Sequence, residues 1–97
     1  MIVELKKFGT TLISRQSGKE AFAVFALNLK VVPKSEKVIV DFTDVITFSP
    51  SWGDEFITPL YEKYKDNLIL KNTKNPSVEA TLKLLEKIGA ITMNNEQ

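Results

Sequence analysis

The chain contains no cysteine and no histidine. Those two absences together exclude disulfides, thiolate nucleophiles, Cys/His zinc sites, imidazole bases and any Ser-His-Asp triad. Arginine is nearly missing as well: of thirteen cationic side chains only Arg15 is a guanidinium. Nucleic-acid binders lean on arginine for bidentate contacts and carry a strong basic excess. Here twelve acids leave a net charge of +1, with the lysines scattered among Glu36, Glu62 and Asp66, so no nucleic-acid partner is expected. No apolar run approaches the roughly eighteen residues of a membrane span. The opening Met1-Ile2-Val3-Glu4 lacks the basic and long apolar stretches of a signal peptide. The expectation is a cytoplasmic protein without membrane attachment.

Ligand motifs are equally scarce. No Asp-x-Asp-x-Asp-Gly loop supports a calcium site, and Gly9-Thr10-Thr11 falls far short of a glycine-rich phosphate cradle. No catalytic residue, metal or cofactor is nominated, and the chain is expected not to be an enzyme.

What is present is an ordinary globular composition. At 97 residues and 43% hydrophobic the chain suffices for one core and not for two, giving a single domain over 1–97 with a polar tail from about Asn94 that should fray. Ile2–Leu5 is a short strand candidate, and Thr10–Ile13 either extends it or forms a loop. Ser14 or Ser17 caps a helix running to about Lys30, Ser17 with Glu20 forming a capping-box pattern, and Pro33 limits its extension. From Ala21 to Leu29 this helix is broken only by Asn28. An all-round apolar helix should be covered on more than one side, either by its own sheet and neighbours or by a second copy or partner.

Val38–Phe42 reads as a central parallel strand, β-rich and without alternation. Beyond the Ser49-Pro50-Ser51 loop, Trp52, Phe56, Leu60 and Tyr64 make a core-facing stripe at fourfold spacing, with a kink expected at Pro59. Asn67–Leu70 is the next strand. Asn75-Pro76 caps a last helix with Val78, Leu82, Leu85 and Ile88 on its apolar stripe and Gly89 at its end. A weak strand over Ala90–Met93 would follow. The order β-α-β-α-β-α, with right-handed crossovers, predicts a small α/β fold: a mostly parallel, possibly mixed, sheet with three main helices. Its functional edge lies beyond the carboxyl ends of the strands, where Asp41–Ser51 and Lys71–Asn75 fall.

Two segments carry a family resemblance. Asp41-Phe42-Thr43-Asp44-Val45 followed by Ser49-Pro50-Ser51-Trp52-Gly53-Asp54-Glu55-Phe56 resembles the STAS-like domain family of unknown function, and Gly9 with Ser14-Arg15 is similar to that family's G-x-x-x-x-S-R segment; the likeness spans roughly residues 8 to 88. The family is similar in turn to the STAS domains of anti-sigma factor antagonists. The resemblance therefore implies a regulatory protein-interaction module whose natural partner is a GHKL-type ATPase or kinase. In those antagonists the strand–loop–helix carries Asp-Ser-Ser-Gly with the first serine phosphorylated. Counted from Asp41, those four positions fall on Ser49, Pro50, Ser51 and Trp52, so the phosphoacceptor position holds a proline and Ser49 or Ser51 would have to substitute.

Each candidate residue has an ordinary reading beside the functional one. Ser51 with Asp54, or Ser49 with Pro50, caps the Trp52 helix; phosphorylation of either serine is the alternative. Asp54 is expected to serve the helix dipole, and adjacent Glu55 points about a hundred degrees away, so the two should not converge as paired carboxylates. Glu55 is a surface charge or the partner of Arg15. Asp41 is a capping acid at a strand end or a carboxylate near a bound phosphate or magnesium. Trp52 is a core anchor or an exposed hot spot, and Gly53 allows another backbone close or merely lowers helix propensity. The leading expectation is docking through Ser49–Phe56. An anion or nucleotide site built from Arg15, Asp41 and the amino end of the Trp52 helix is the alternative, and a homo-oligomer formed through the first helix is a third.

Overall fold

In the computed structural model, residues 1–93 and the backbone of Asn95–Glu96 are described. Strands β1 (Ile2–Glu4), β3 (Val38–Asp41), β5 (Leu68–Lys71) and β6 (Asn95–Glu96) form a sheet in that spatial order, every pair parallel. Helices α1 (Arg15–Leu29), α2 (Pro50–Tyr64) and α3 (Pro76–Lys87) connect them. Consecutive strands laid side by side by right-handed crossovers place all three helices on one face. The alternation along the strands agrees: Val3, Val38, Val40, Leu68 and Leu70 join the main core, whereas Ile2, paired in register with Ile39, is 65% exposed on the opposite face.

Two short strands went unforeseen as a pair. β2 (Thr11–Leu12) and β4 (Thr47–Phe48) pair in parallel as a separate ribbon, because the amides of Ile46 and Thr47 reach back to the Thr10 carbonyl and that of Ser49 to Leu12. Thr10–Ile13 therefore does not extend β1, which gives way to a 3-10 turn over Leu5–Phe8. The carboxyl end differs too. Residues 90–93 are not a strand; the chain reverses at Gly89 (φ 81°), buries Ile91, and pairs Asn95–Glu96 with β5. Ile88, expected on the core stripe, is 64% exposed, since the helix ends before it and Ile91 enters the core instead. The expected fraying of Asn94 and Gln97 lies outside the described residues.

The stripe of α2 is as expected: Trp52, Phe56, Leu60 and Tyr64 are all at most 1% exposed, and the helix continues through Pro59. All six phenylalanines and the tryptophan are linked by ring contacts centred on Phe56, which stacks on Trp52 at 4.9 Å and meets Phe8, Phe22 and Phe25. Contacts of this kind contribute about 0.5–1.5 kcal/mol each beyond burial.

α1 departs from expectation. Phe25 and Leu29 are buried and Ala21 and Phe22 pack on the core. Val24 and Leu27, by contrast, are more than 60% exposed. The helix layer explains this. α2 packs against both α1 and α3, so α1 is an end helix whose far side is exposed among the described residues. Its contact with α2 is close because Gly18 is buried there: a Cβ at this position would stand 2.9 Å from the Trp52 carbonyl oxygen.

Candidate functional site

Helices α1 and α2 begin side by side at the same edge of the domain. Ser14 caps α1, its Oγ accepting from the Ser17 amide at 3.0 Å. The Ser17–Glu20 capping box does not form; the Ser17 hydroxyl donates back to the Ser14 carbonyl, and Glu20 accepts from Gln16. Ser49 caps α2. Its Oγ accepts from the Trp52 amide at 3.2 Å and donates to the Ile13 carbonyl at 2.6 Å, so one hydroxyl ties the entrance of α1 to that of α2. Pro50 takes the first helical position, where its missing N–H costs nothing.

Ser51 is thus inside the first turn, half-buried, and not the cap. With a parallel ribbon delivering Ser49 from β4, the residue that stops extended is Ser49, and the serine two residues later is already helical.

Arg15 lies one turn from the Gly18 crossing and reaches α2. Its Nη1 donates to Asp54 Oδ2 at 3.1 Å and to Glu55 Oε2 at 2.5 Å. The hydrogen bond to Glu55, then that to Asp54, raises the guanidinium pKa further above its ordinary value. Two expectations change here. Asp54 sits in the second turn and takes Arg15 and the Thr58 hydroxyl rather than free amides. The two adjacent acids do converge, because both side chains are long enough to swing to one guanidinium lying over the helix. The ion pairs are exposed, Arg15 by 54%.

Asp41 stands in a different cluster at the end of β3. Its Oδ1 accepts from Asn72 Nδ2 at 2.8 Å, Thr43 Oγ1 at 2.7 Å and the Thr43 amide at 3.0 Å. Partial burial acts to raise its pKa, but those three bonds and nearby Lys71 outweigh it and hold the carboxyl below the ordinary aspartate value. The ordinary reading, an acid closing the strand–loop corner, describes it. Asn72 (φ 60°) and Asp44 (φ 68°) both take left-handed backbone, which Asn and Asp tolerate better than most residues. Between Phe42–Val45 and the Asn72–Asn75 segment lies an open hollow of about 490 Å³.

Sequence reasoning missed what holds the rim in place. Asn75 is the expected cap of α3, its Oδ1 accepting from the Ser77 and Val78 amides. Its Nδ2 also donates to the carbonyls of Val45 and Ile46. Ser77 accepts from the Phe48 amide at 2.9 Å, and buried Thr81 donates to the Phe48 carbonyl at 2.5 Å. Ser77 and Thr81 of α3 thus satisfy the Phe48 backbone of β4, and the α3 cap Asn75 holds the carbonyls just before that strand. Nothing in the local sequence marks Ser77 or Thr81, since their partners are 29 and 33 residues away.

The exposed part of the Ser49–Phe56 segment is narrower than expected. Trp52, Gly53 and Phe56 are buried. Pro50 is exposed and Ser49, Ser51, Asp54 and Glu55 are half-buried, with Ile13 beside them at 50% exposure. Gly53 faces the side chains of Phe48 and Leu85 rather than another backbone. Among the described residues no cluster of three or more acids, histidines or cysteines is placed to hold a metal ion, and no helix is long and apolar enough to cross a membrane.

A family model described as a STAS-like domain of unknown function matches residues 20–78, well over half of the chain. The chain belongs to that family. The match runs from the second turn of α1 through the rim segment to the start of α3, and leaves Gly9 and Ser14-Arg15 outside it. The parallel sheet with its three helices is the α/β architecture consistent with a STAS-like fold. No curated protein and no solved structure matches the chain.

Proposed function

We propose that this STAS-like domain is a non-enzymatic regulatory module that docks a protein partner at the shared start of α1 and α2. The observation that carries the reading is the Ser49 hydroxyl bridging Trp52 and Ile13. That bridge fixes two exposed apolar residues, Ile13 and Pro50, beside a charged edge of Arg15, Asp54 and Glu55. A rigid apolar patch with a polar rim is the usual form of a protein-docking site. The resemblance to anti-sigma factor antagonists makes a GHKL-type ATPase or kinase the natural partner. Ser51 is then the serine for a kinase to modify, because the Ser49 hydroxyl is committed in both directions.

Calorimetric titration with the GHKL-type ATPases of the native host tests this. Binding to one of them, weakened at least about tenfold by Ile13→Asp with an unchanged melting curve, supports the reading. No binding to any of them removes that partner class, and binding indifferent to Ile13→Asp removes the rim. Mass spectrometry after incubation with ATP and the bound ATPase should find one phosphate, lost in Ser51→Ala.

A further inference from the structure

Among the described residues, the side of α1 that carries Val24 and Leu27 is left exposed. Val24 is 67% exposed and Leu27 63%, and their i, i+3 spacing puts them on one side of the helix; Val31, 87% exposed, follows in the turn just past its end. Exposed Glu20 continues the stripe toward the amino end, and exposed Ala23 beside it is small enough to let another helix approach. Single exposed aliphatic residues are ordinary, but two on one helix face with a third just past its end, edged by charge, mark an association surface.

The charges select the occupant. Glu20 stands at the amino end of the stripe, and exposed Lys30, the C-cap residue, stands at its carboxyl end. A parallel second copy would set Glu20 against Glu20. An antiparallel copy sets Val24 against Leu27 near a twofold axis, brings each Glu20 toward the other chain's Lys30, and opposes the two helix dipoles. We infer that the chain self-associates as a twofold dimer through antiparallel contact of the α1 outer faces. This surface is separate from the docking rim and does not rest on it. A contact made through one helix face is at the low end for a specific interface, so the dimer is reversible and concentration-dependent.

Sedimentation equilibrium of the full chain over a wide concentration range reads the result directly. The wild type should shift from monomer to dimer, and Val24→Asp and Leu27→Asp should each weaken association at least about tenfold. Neither side chain belongs to the core, so the melting curves of both variants should stay near wild type. Glu20→Lys and Lys30→Glu should each weaken the dimer several-fold, and both exchanges in one chain should restore it. A monomer at every concentration overturns the dimer. Association indifferent to the two aspartate variants overturns the surface, and failure of the double exchange to restore it overturns the antiparallel order.

Discussion

Gly18→Ala sets two effects against each other. In an unconstrained helix interior the change is favourable by about 1 kcal/mol, because alanine loses less backbone freedom. At Gly18 the new Cβ would stand 2.9 Å from the Trp52 carbonyl oxygen and 3.0 Å from its Cα. Both are backbone atoms of a buried helix whose rings stack into the centre of the core, so neither can turn aside as a side chain would. Restoring ordinary contact means pushing α1 off α2 by roughly half an ångström, and overpacking of this kind costs about 1–3 kcal/mol. Separation would also loosen Phe22 and Phe25 against Phe56, where each ring contact contributes about 0.5–1.5 kcal/mol. The net expectation is a loss of about 1–2 kcal/mol. For a domain of this size that corresponds to a melting midpoint lower by roughly 5–15 °C. Gly53→Ala is the internal control. Its nearest neighbours are the ring edge of Phe48 at 3.1 Å and a methyl of Leu85 at 3.2 Å, atoms that can yield, so its midpoint should fall less. Thermal denaturation followed by far-UV circular dichroism makes the comparison. A Gly18→Ala variant as stable as wild type, or more stable than Gly53→Ala, would refute the claim that this glycine sets the distance between the helices.

Other perturbations separate the roles at the rim. Ser49→Ala removes both a cap and the bond to Ile13, for a loss of about 1–2 kcal/mol in urea unfolding, while Ser51→Ala should be close to neutral. Thr81→Val keeps the shape but removes the buried bond to Phe48, and the same measurement should show about 1–2 kcal/mol lost although the site is far from either helix start. Asp41 has a folded pKa below its unfolded one. Its contribution is therefore complete above the ordinary aspartate pKa and disappears as pH falls below that value toward the lower folded one. Unfolding measured from neutral to strongly acid pH should show a shallower acid limb in Asp41→Asn than in wild type. Arg15→Ala breaks exposed ion pairs. Its melting midpoint should approach that of wild type as salt is raised, since salt screens what the substitution removed.

The sequence by itself determined the α/β class, the order of the three main strands and helices, and the core face of α2. These depend on local signals: β-branched runs, a four-residue aromatic and aliphatic spacing, and prolines placed at the first position of α2 and α3. It left Glu55 as a surface charge or the partner of Arg15, and the structure brings the two together. It left Ser49 and Ser51 as rival caps, because both fit the local pattern. Tertiary structure decided between them: the β2–β4 ribbon delivers Ser49 in extended form with its hydroxyl against Ile13. Tertiary structure alone also chose Ser77 and Thr81 as the anchors of β4, and Gly18 as the point where two helices touch. The bare face of α1 belongs here as well. A run of apolar residues records that a helix can be covered all round, but the position of α1 at the end of the helix layer leaves Val24 and Leu27 exposed among the described residues.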